Sequence, residues 1–406
     1  MPMLAVEGGK PVRETPIVAR PVVYSEEVLQ AVADVLKSGV LTAQHGRWVK
    51  AFEAELASFL GVRHALAVSN GTTAIHTALK AVGVGPGDEV ITTPFTFAAS
   101  ATAVLHANAV PVFADIDRET LNLDPVSVEE KITDKTKAVV VVHLAGMPAE
   151  MDAFMKIAER YGVKIVEDTA QALGAEYRGR RVGSIGHIST FSLYATKHIT
   201  SGEGGAVATD VAAYAERARL IRAHGEVGKY SYELLGYNYR MTEMQGVLAY
   251  YQLRQLPEMQ RRREAYVKVL LEELAPLEGD LLTVPKPRPY MRHAWHLVQI
   301  LLAVERLKKP RDYVVEALRA EGVGNVFVAY PTPLYKTPLF QRREGHGIGC
   351  PWACPYYGRK TEYKPLPNAE WAAERVVTLL VMPNLTEQDA ADTAAALKKV
   401  LTALRR

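Results

Sequence analysis

Between Val62 and about Asp210 short apolar runs alternate with segments of helical length, and that alternation predicts an α/β fold with a mainly parallel sheet covered by helices on both faces. The runs lie at His64–Val68, Glu89–Thr92, Val110–Ala114, Ala138–His143 and Lys164–Glu167. Ile188–Leu193 and Ala206–Thr209 bring the expected strands to seven. Before this region, residues 26–38 and 47–60 place apolar positions at helical spacing around the turn Ser38-Gly39-Val40-Leu41-Thr42. After it, a long helix is expected from roughly Thr242 to Leu274, followed by the connector Pro285-Lys286-Pro287-Arg288-Pro289. Strands at His296–Val304 and Gly324–Val328 and helices at 309–321 and 386–404 then suggest a smaller α+β domain. Residues 341–368 show little periodicity, but their tryptophan and tyrosines favour an ordered, packed loop. The expected organisation is an N-terminal arm over 1–25, a large domain over 26–250, and a linker helix with a small C-terminal domain over 251–406.

Composition narrows the function classes. The chain has 406 residues, 48 lysines and arginines against 45 acids, and no basic tail, so neither nucleic acid nor an anionic membrane surface is an expected partner. No apolar run reaches the ~20 residues of a membrane helix, and Met1 to Arg20 lacks the apolar core of a signal peptide, which makes the cytoplasm the expected location. Two cysteines, Cys350 and Cys354, with only His346 nearby, are too few for a zinc site, and no metal is expected. Whether they form a local disulfide stays open.

The candidate chemistry lies in two neighbouring segments. Asp168 falls at the carboxyl end of the apolar stretch Val163-Lys164-Ile165-Val166-Glu167, where parallel α/β sheets present their ligand-binding groups. Lys197 follows in Phe191-Ser192-Leu193-Tyr194-Ala195-Thr196-Lys197-His198-Ile199-Thr200-Ser201-Gly202-Glu203-Gly204-Gly205. A lysine beside glycine-rich backbone and an acid at a strand end suit pyridoxal 5'-phosphate: an amine for the Schiff base and a carboxylate for the pyridinium nitrogen. Ser69-Asn70-Gly71-Thr72-Thr73-Ala74 follows a strand and opens a helix, which reads equally as a phosphate cradle or as a simple N-cap. Gly83-Val84-Gly85-Pro86-Gly87 precedes a strand and reads as a turn, not a dinucleotide loop. His143, ending an apolar strand, reads as a satisfied core histidine.

These segments, with Pro94-Phe95-Thr96-Phe97, Val142-His143-Leu144-Ala145-Gly146-Met147-Pro148-Ala149 and Gly236-Tyr237-Asn238-Tyr239-Arg240-Met241-Thr242-Glu243-Met244-Gln245, resemble the DegT/StrS-type aminotransferases of fold type I over nearly the whole chain. The resemblance implies pyridoxal phosphate as cofactor, with Lys197 and Asp168 as catalytic residues. It implies Gly71, Thr72, Thr73 and Ser192 at the phosphate, Phe97 stacked on the ring, and Gln171 near the phenolic oxygen. Asn238 would reach the phosphate in a neighbouring subunit, which implies a homodimer with shared sites. The implied reaction moves an amino group from glutamate or glutamine to a keto sugar, nucleotide-linked, or to a keto cyclitol. Two alternatives remain: other pyridoxal phosphate chemistry such as dehydration or carbon–sulfur lysis, and a regulatory protein on the same scaffold. The related dehydratases replace the lysine with histidine and hold a cysteine-bound cluster, and Lys197 with only two cysteines argues against them.

Overall fold

The computed structural model describes residues 3–20 and 24–406; residues 1, 2 and 21–23 of the expected N-terminal arm lie outside the described residues. Its centre is a seven-stranded sheet. The strands are β1 (His64–Val68), β2 (Glu89–Thr92), β3 (Val110–Phe113), β4 (Thr136–Val142), β5 (Lys164–Asp168), β8 (Ile188–Ser192) and β9 (Gly205–Thr209), in the order β1-β9-β8-β5-β4-β2-β3. Only β9 runs against its neighbours.

Alternate residues of each strand enter different cores, as the two-residue repeat of a strand requires. Leu66 and Val68, Ala138 and Val140, and Val207 pack against α3 (Gly71–Ala81), α4 (Ala99–His106) and α7 (Ala212–Ile221). On the other face, Val139 and Val141 meet α5 (Pro125–Lys131) and α6 (Met151–Tyr161), while Ala67, Ala206 and Ala208 meet α2 (Trp48–Leu60) and the long α8 (Glu243–Leu274). Burial on both sides explains why β4 reads as an unbroken apolar run. Against the exposed side of α8 lies α1 (Glu26–Ser38), through Val28, Ala31 and Val35.

Both sheet edges are covered. At β1, the Ala67 N–H donates to Glu53 Oε1 (2.8 Å) and the Ala67 carbonyl accepts from Arg222 (2.7 Å). At β3, the Tyr363 hydroxyl donates to the Pro111 carbonyl (2.9 Å) and itself accepts from Trp352 Nε1 (2.8 Å). Trp352 and Tyr357 are buried, so the aperiodic 341–368 stretch is an ordered cover, with short α10 (Pro338–Arg342) at its entrance and α11 (Pro367–Arg375) at its exit. Within it Cys350 and Cys354 form a disulfide.

Two short ribbons flank the sheet. β6 (Glu176–Tyr177) pairs with β7 (Arg180–Arg181) and β13 (Met291–Arg292), and β10 (Glu226–Gly228) forms a hairpin with β11 (Ser231–Tyr232). The small domain is an antiparallel sheet, β12 (Leu282–Thr283), β14 (Leu297–Leu302), β16 (Val376–Leu380) and β15 (Val326–Phe327), covered by α9 (Arg311–Ala320), α12 (Glu387–Leu404) and the end of α8. Leu4 and Ile17 belong to this core, and Glu321 accepts from the amides of Ala5 and Val12, so the described part of the arm is a layer of the small domain. α8 starts with a capping box between Thr242 and Gln245 and runs unbroken across residue 250, so the boundary expected there falls inside one helix. β16 was not expected at all. Among the described residues, no helix is long and apolar enough to cross a membrane.

Candidate active site

Three parallel strands end side by side: β4 leads into His143, β5 ends at Asp168 and β8 ends at Ser192. The last two residues of β5 are both acids, and strand alternation sends them to opposite faces. Glu167 turns into the protein, where it accepts from the amides of Gly183 (2.7 Å), Ile185 (2.7 Å) and Gly186 (2.6 Å) and faces His143 Nε2 at 3.0 Å. Burial pushes its pKa up, but His143 and the glycine amides outweigh that and hold it below the usual value. His143 Nδ1 accepts from the Ala149 amide (3.0 Å), so this histidine is the satisfied core group its position suggests.

Asp168 faces the strand-end crevice and is 4% exposed. Its Oδ2 accepts from the Ser100 hydroxyl (2.7 Å) and its Oδ1 from the Ala170 amide (3.2 Å). Burial raises its pKa despite these bonds. Lys197 lies on the loop between β8 and β9. Burial pushes its amine down to about 8, and Asp168 is the charge that opposes the shift. A buried carboxyl beside an amine with a lowered pKa, at the end of a parallel strand, marks this pair as a candidate functional site.

At the start of α3, Asn70 is the N-cap, and its side-chain oxygen accepts from the Thr73 amide (2.9 Å). The Thr73 hydroxyl is engaged in the same box, with Asn70 and with Ser69. The amides of Gly71 and Thr72 and the Thr72 hydroxyl have no partner among the described residues, so they are the donors open to a phosphate. Gly71 is required by packing: a Cβ there would lie 2.8 Å from that of Ser192, which brings the Ser192 hydroxyl to the same helix start. Phe97, beside the start of α4 that carries Ser100, is 64% exposed, an aromatic face unused by the core. A buried acid, an enclosed amine, open helix-start amides and a free aromatic face together fit the cofactor expected from the sequence.

Gln171 is tied to two protein partners. Its Oε1 accepts from the Ala145 amide (2.8 Å) and its Nε2 donates to the Tyr330 hydroxyl (2.8 Å), which leaves one amide hydrogen. Tyr330 comes from the small domain, and burial pushes its hydroxyl up to about 12. Asn238 is not brought to the group within one chain. Tyr237 and Tyr239 stack at 5.0 Å and pack on His76 of α3, so alternation turns Asn238 outward, where it is exposed.

Sequence reasoning missed Ser100 and the Gln171–Tyr330 bond. Ser100 lies three residues after Phe97, just beyond the segment Pro94–Phe97, and that nearness is the one local signal for it.

The model of the DegT/DnrJ/EryC1/StrS aminotransferase family matches residues 23–351. The spore coat polysaccharide biosynthesis protein SpsC of Bacillus subtilis is 36% identical, over 94% of this chain and 96% of SpsC. A pleiotropic regulatory protein of Geobacillus stearothermophilus is 38% identical, over 89% of this chain and 91% of its own. Among solved structures, DesI in the presence of its TDP-sugar product has a TM-score of 0.86 and 31% identity, covering 98% of this chain and 96% of DesI.

Proposed function

We propose, since this chain belongs to the DegT/DnrJ/EryC1/StrS aminotransferase family, that it transfers an amino group from glutamate or glutamine to a ring carbonyl of a nucleotide-linked keto sugar. Membership makes it a pyridoxal-phosphate-dependent aminotransferase. The cofactor, when bound, supplies the electron sink that stabilises a carbanion at the substrate carbon. Asp168 would be the carboxylate that keeps the ring nitrogen protonated, and Lys197 the amine that would anchor the cofactor and move the proton. Gly71, Thr72 and Ser192 would hold the phosphate, Thr73 completes the cap that orients their donors, and Phe97 would offer its free face to the ring. Gln171, bonded to Tyr330, would keep its remaining amide hydrogen for the phenolic oxygen.

The observation that carries the nucleotide-linked reading is the match along almost all of the chain to DesI, described with a TDP-sugar product. A separate cleft of about 810 Å3, lined by none of the proposed cofactor residues, carries the basic groups Lys50, Arg219, Arg222, Lys229 and Arg240 beside one acid, Glu226. A diphosphate needs such cations, whereas a free keto cyclitol does not. Lys336 of the small domain, another candidate cation, pairs with Glu370 at 2.8 Å. With the cofactor in its aminated form, the expected result is rapid amination of nucleotide-linked keto sugars and slow or no amination of free keto sugars and inososes. Equal rates would remove the diphosphate from the reading. Fast conversion of simple α-keto acids alone would replace the sugar reading with a general amino-acid transaminase.

The outward turn of Asn238 supports a homodimer in which each chain completes the other's phosphate site. Lys197→Ala subunits mixed with Asn238→Asp subunits are expected to regain about half of the wild-type activity per heterodimer, and about a quarter in a fully exchanged 1:1 mixture, because one of the two heterodimer sites regains both residues. No recovery with subunit exchange verified would count against the shared site. The regulatory name of the Geobacillus relative gives a second reading its one support, and Lys197 and Asp168 are both present to oppose it. A visible cofactor colour that changes on adding glutamate separates the two.

A further inference from the structure

The residue that follows the lysine is a buried histidine. His198 is 2% exposed, and its Nε2 donates to the Ala294 carbonyl at 2.9 Å. Burial and the nearby Arg263 hold the imidazole far below its usual pKa, so it is a neutral donor. Ala294 in turn donates its amide to the Gly146 carbonyl (2.9 Å), and the His296 amide donates to the Ala145 carbonyl (2.9 Å). The Ala145 amide closes the series on Gln171. The approach is tight: a Cβ on Gly146, whose φ is +102°, would lie 2.8 Å from the Trp295 nitrogen.

Elsewhere the lysine loop is held mainly at its ends. Leu193 donates to Gly204 (2.8 Å), Ser201 to Leu193 (3.1 Å) and Thr200 to Gln252 of α8 (3.0 Å). In between, the Lys197 amide bonds only within the loop, to Tyr194 (2.9 Å), and the buried Ile199 is the apolar anchor. The His198 ring is thus the long-range polar tether closest to the reactive amine.

We propose that His198 is a positioning residue for transamination: through its bond to Ala294 it holds the Lys197 amine inside the crevice, facing Asp168. It acts only through Lys197. Lys197 is partly exposed as a residue, and loss of the tether lets its amine move further into solvent, where an amine regains its ordinary basicity. The charged and titratable groups that act on the amine are the Asp168 carboxyl from β5, His198 on its own loop and His296 from the segment before β14, both histidines neutral by burial; Arg263 and His293 act on those two histidines, and the Tyr330 hydroxyl on Asp168.

The test measures the pH dependence of Lys197 acylation by acetic anhydride, read by peptide mass in the full-length chain freed of cofactor, and so needs no sugar substrate. Wild type is expected to titrate at about 8. His198→Leu is expected to shift that titration toward the 10.5 of a free lysine and, in the holoenzyme, to lower kcat with the donor KM little changed. His198→Gln, whose amide reaches the place of Nε2, should restore both. An unshifted titration in His198→Leu, whatever its melting temperature, would overturn the proposal. Should His198→Leu fail to fold, His198→Asn, too short to reach the carbonyl, is compared with His198→Gln, and equal titrations in those two would overturn it equally.

Discussion

Lys197→Ala is expected to lower turnover by about 10⁴-fold or more, the upper end of what a positioned acid–base group supplies, because the same amine also anchors the cofactor. The fold should survive. The amine has no hydrogen bond among the described residues, and burial disfavours its charged form, so its removal costs little stability. Cofactor should still bind through the start of α3, where Gly71 and Thr72 keep their open amides. Borohydride reduction of the wild-type enzyme followed by peptide mapping should find the pyridoxyl group on Lys197. Label on another lysine, or substantial turnover by the alanine variant, would sink the assignment.

Asp168→Asn should cost at least about 10²-fold in turnover while leaving the chain folded. The amide oxygen can accept from the Ala170 amide, and the amide nitrogen can donate to Ser100, whose hydroxyl turns to accept. No charge then remains to hold a proton on the ring nitrogen. The lost charge-assisted hydrogen bond is worth about 1.5–3 kcal/mol, or roughly 10–100-fold, before the weaker electron withdrawal is added. Stability moves the other way. Burial raises the Asp168 pKa above its unfolded value, so the folded state holds that proton more tightly and ionisation opposes folding as pH rises through this range. The cofactor-free Asp168→Asn variant should therefore melt at the same temperature as wild type or higher near neutral pH. Near wild-type activity in the variant would show that a neutral partner suffices.

The candidate pair Lys197 and Asp168 could be picked out in the chain because its signals are local. A buried parallel strand announces itself by a run such as Ala138-Val139-Val140-Val141-Val142, and the end of the run at Lys164–Asp168 marks where a side chain can face a ligand. Caps such as Thr242 with Gln245 likewise need only neighbours in sequence. β16 escaped because its five residues follow directly on α11, so no turn separates the two patterns. Periodicity also states which face of an element is buried, never what lies against it. The antiparallel insertion of β9, the Ser100 hydroxyl on Asp168, the Gln171–Tyr330 bond and the His198 tether to Ala294 all join residues remote in the chain. Those contacts exist only after the strands have taken their order and the small domain has closed over the strand ends. The sequence by itself determined the chemistry available at the site, whereas packing of distant segments decided the environment that turns an ordinary lysine and aspartate into an amine with a lowered pKa and an enclosed acid.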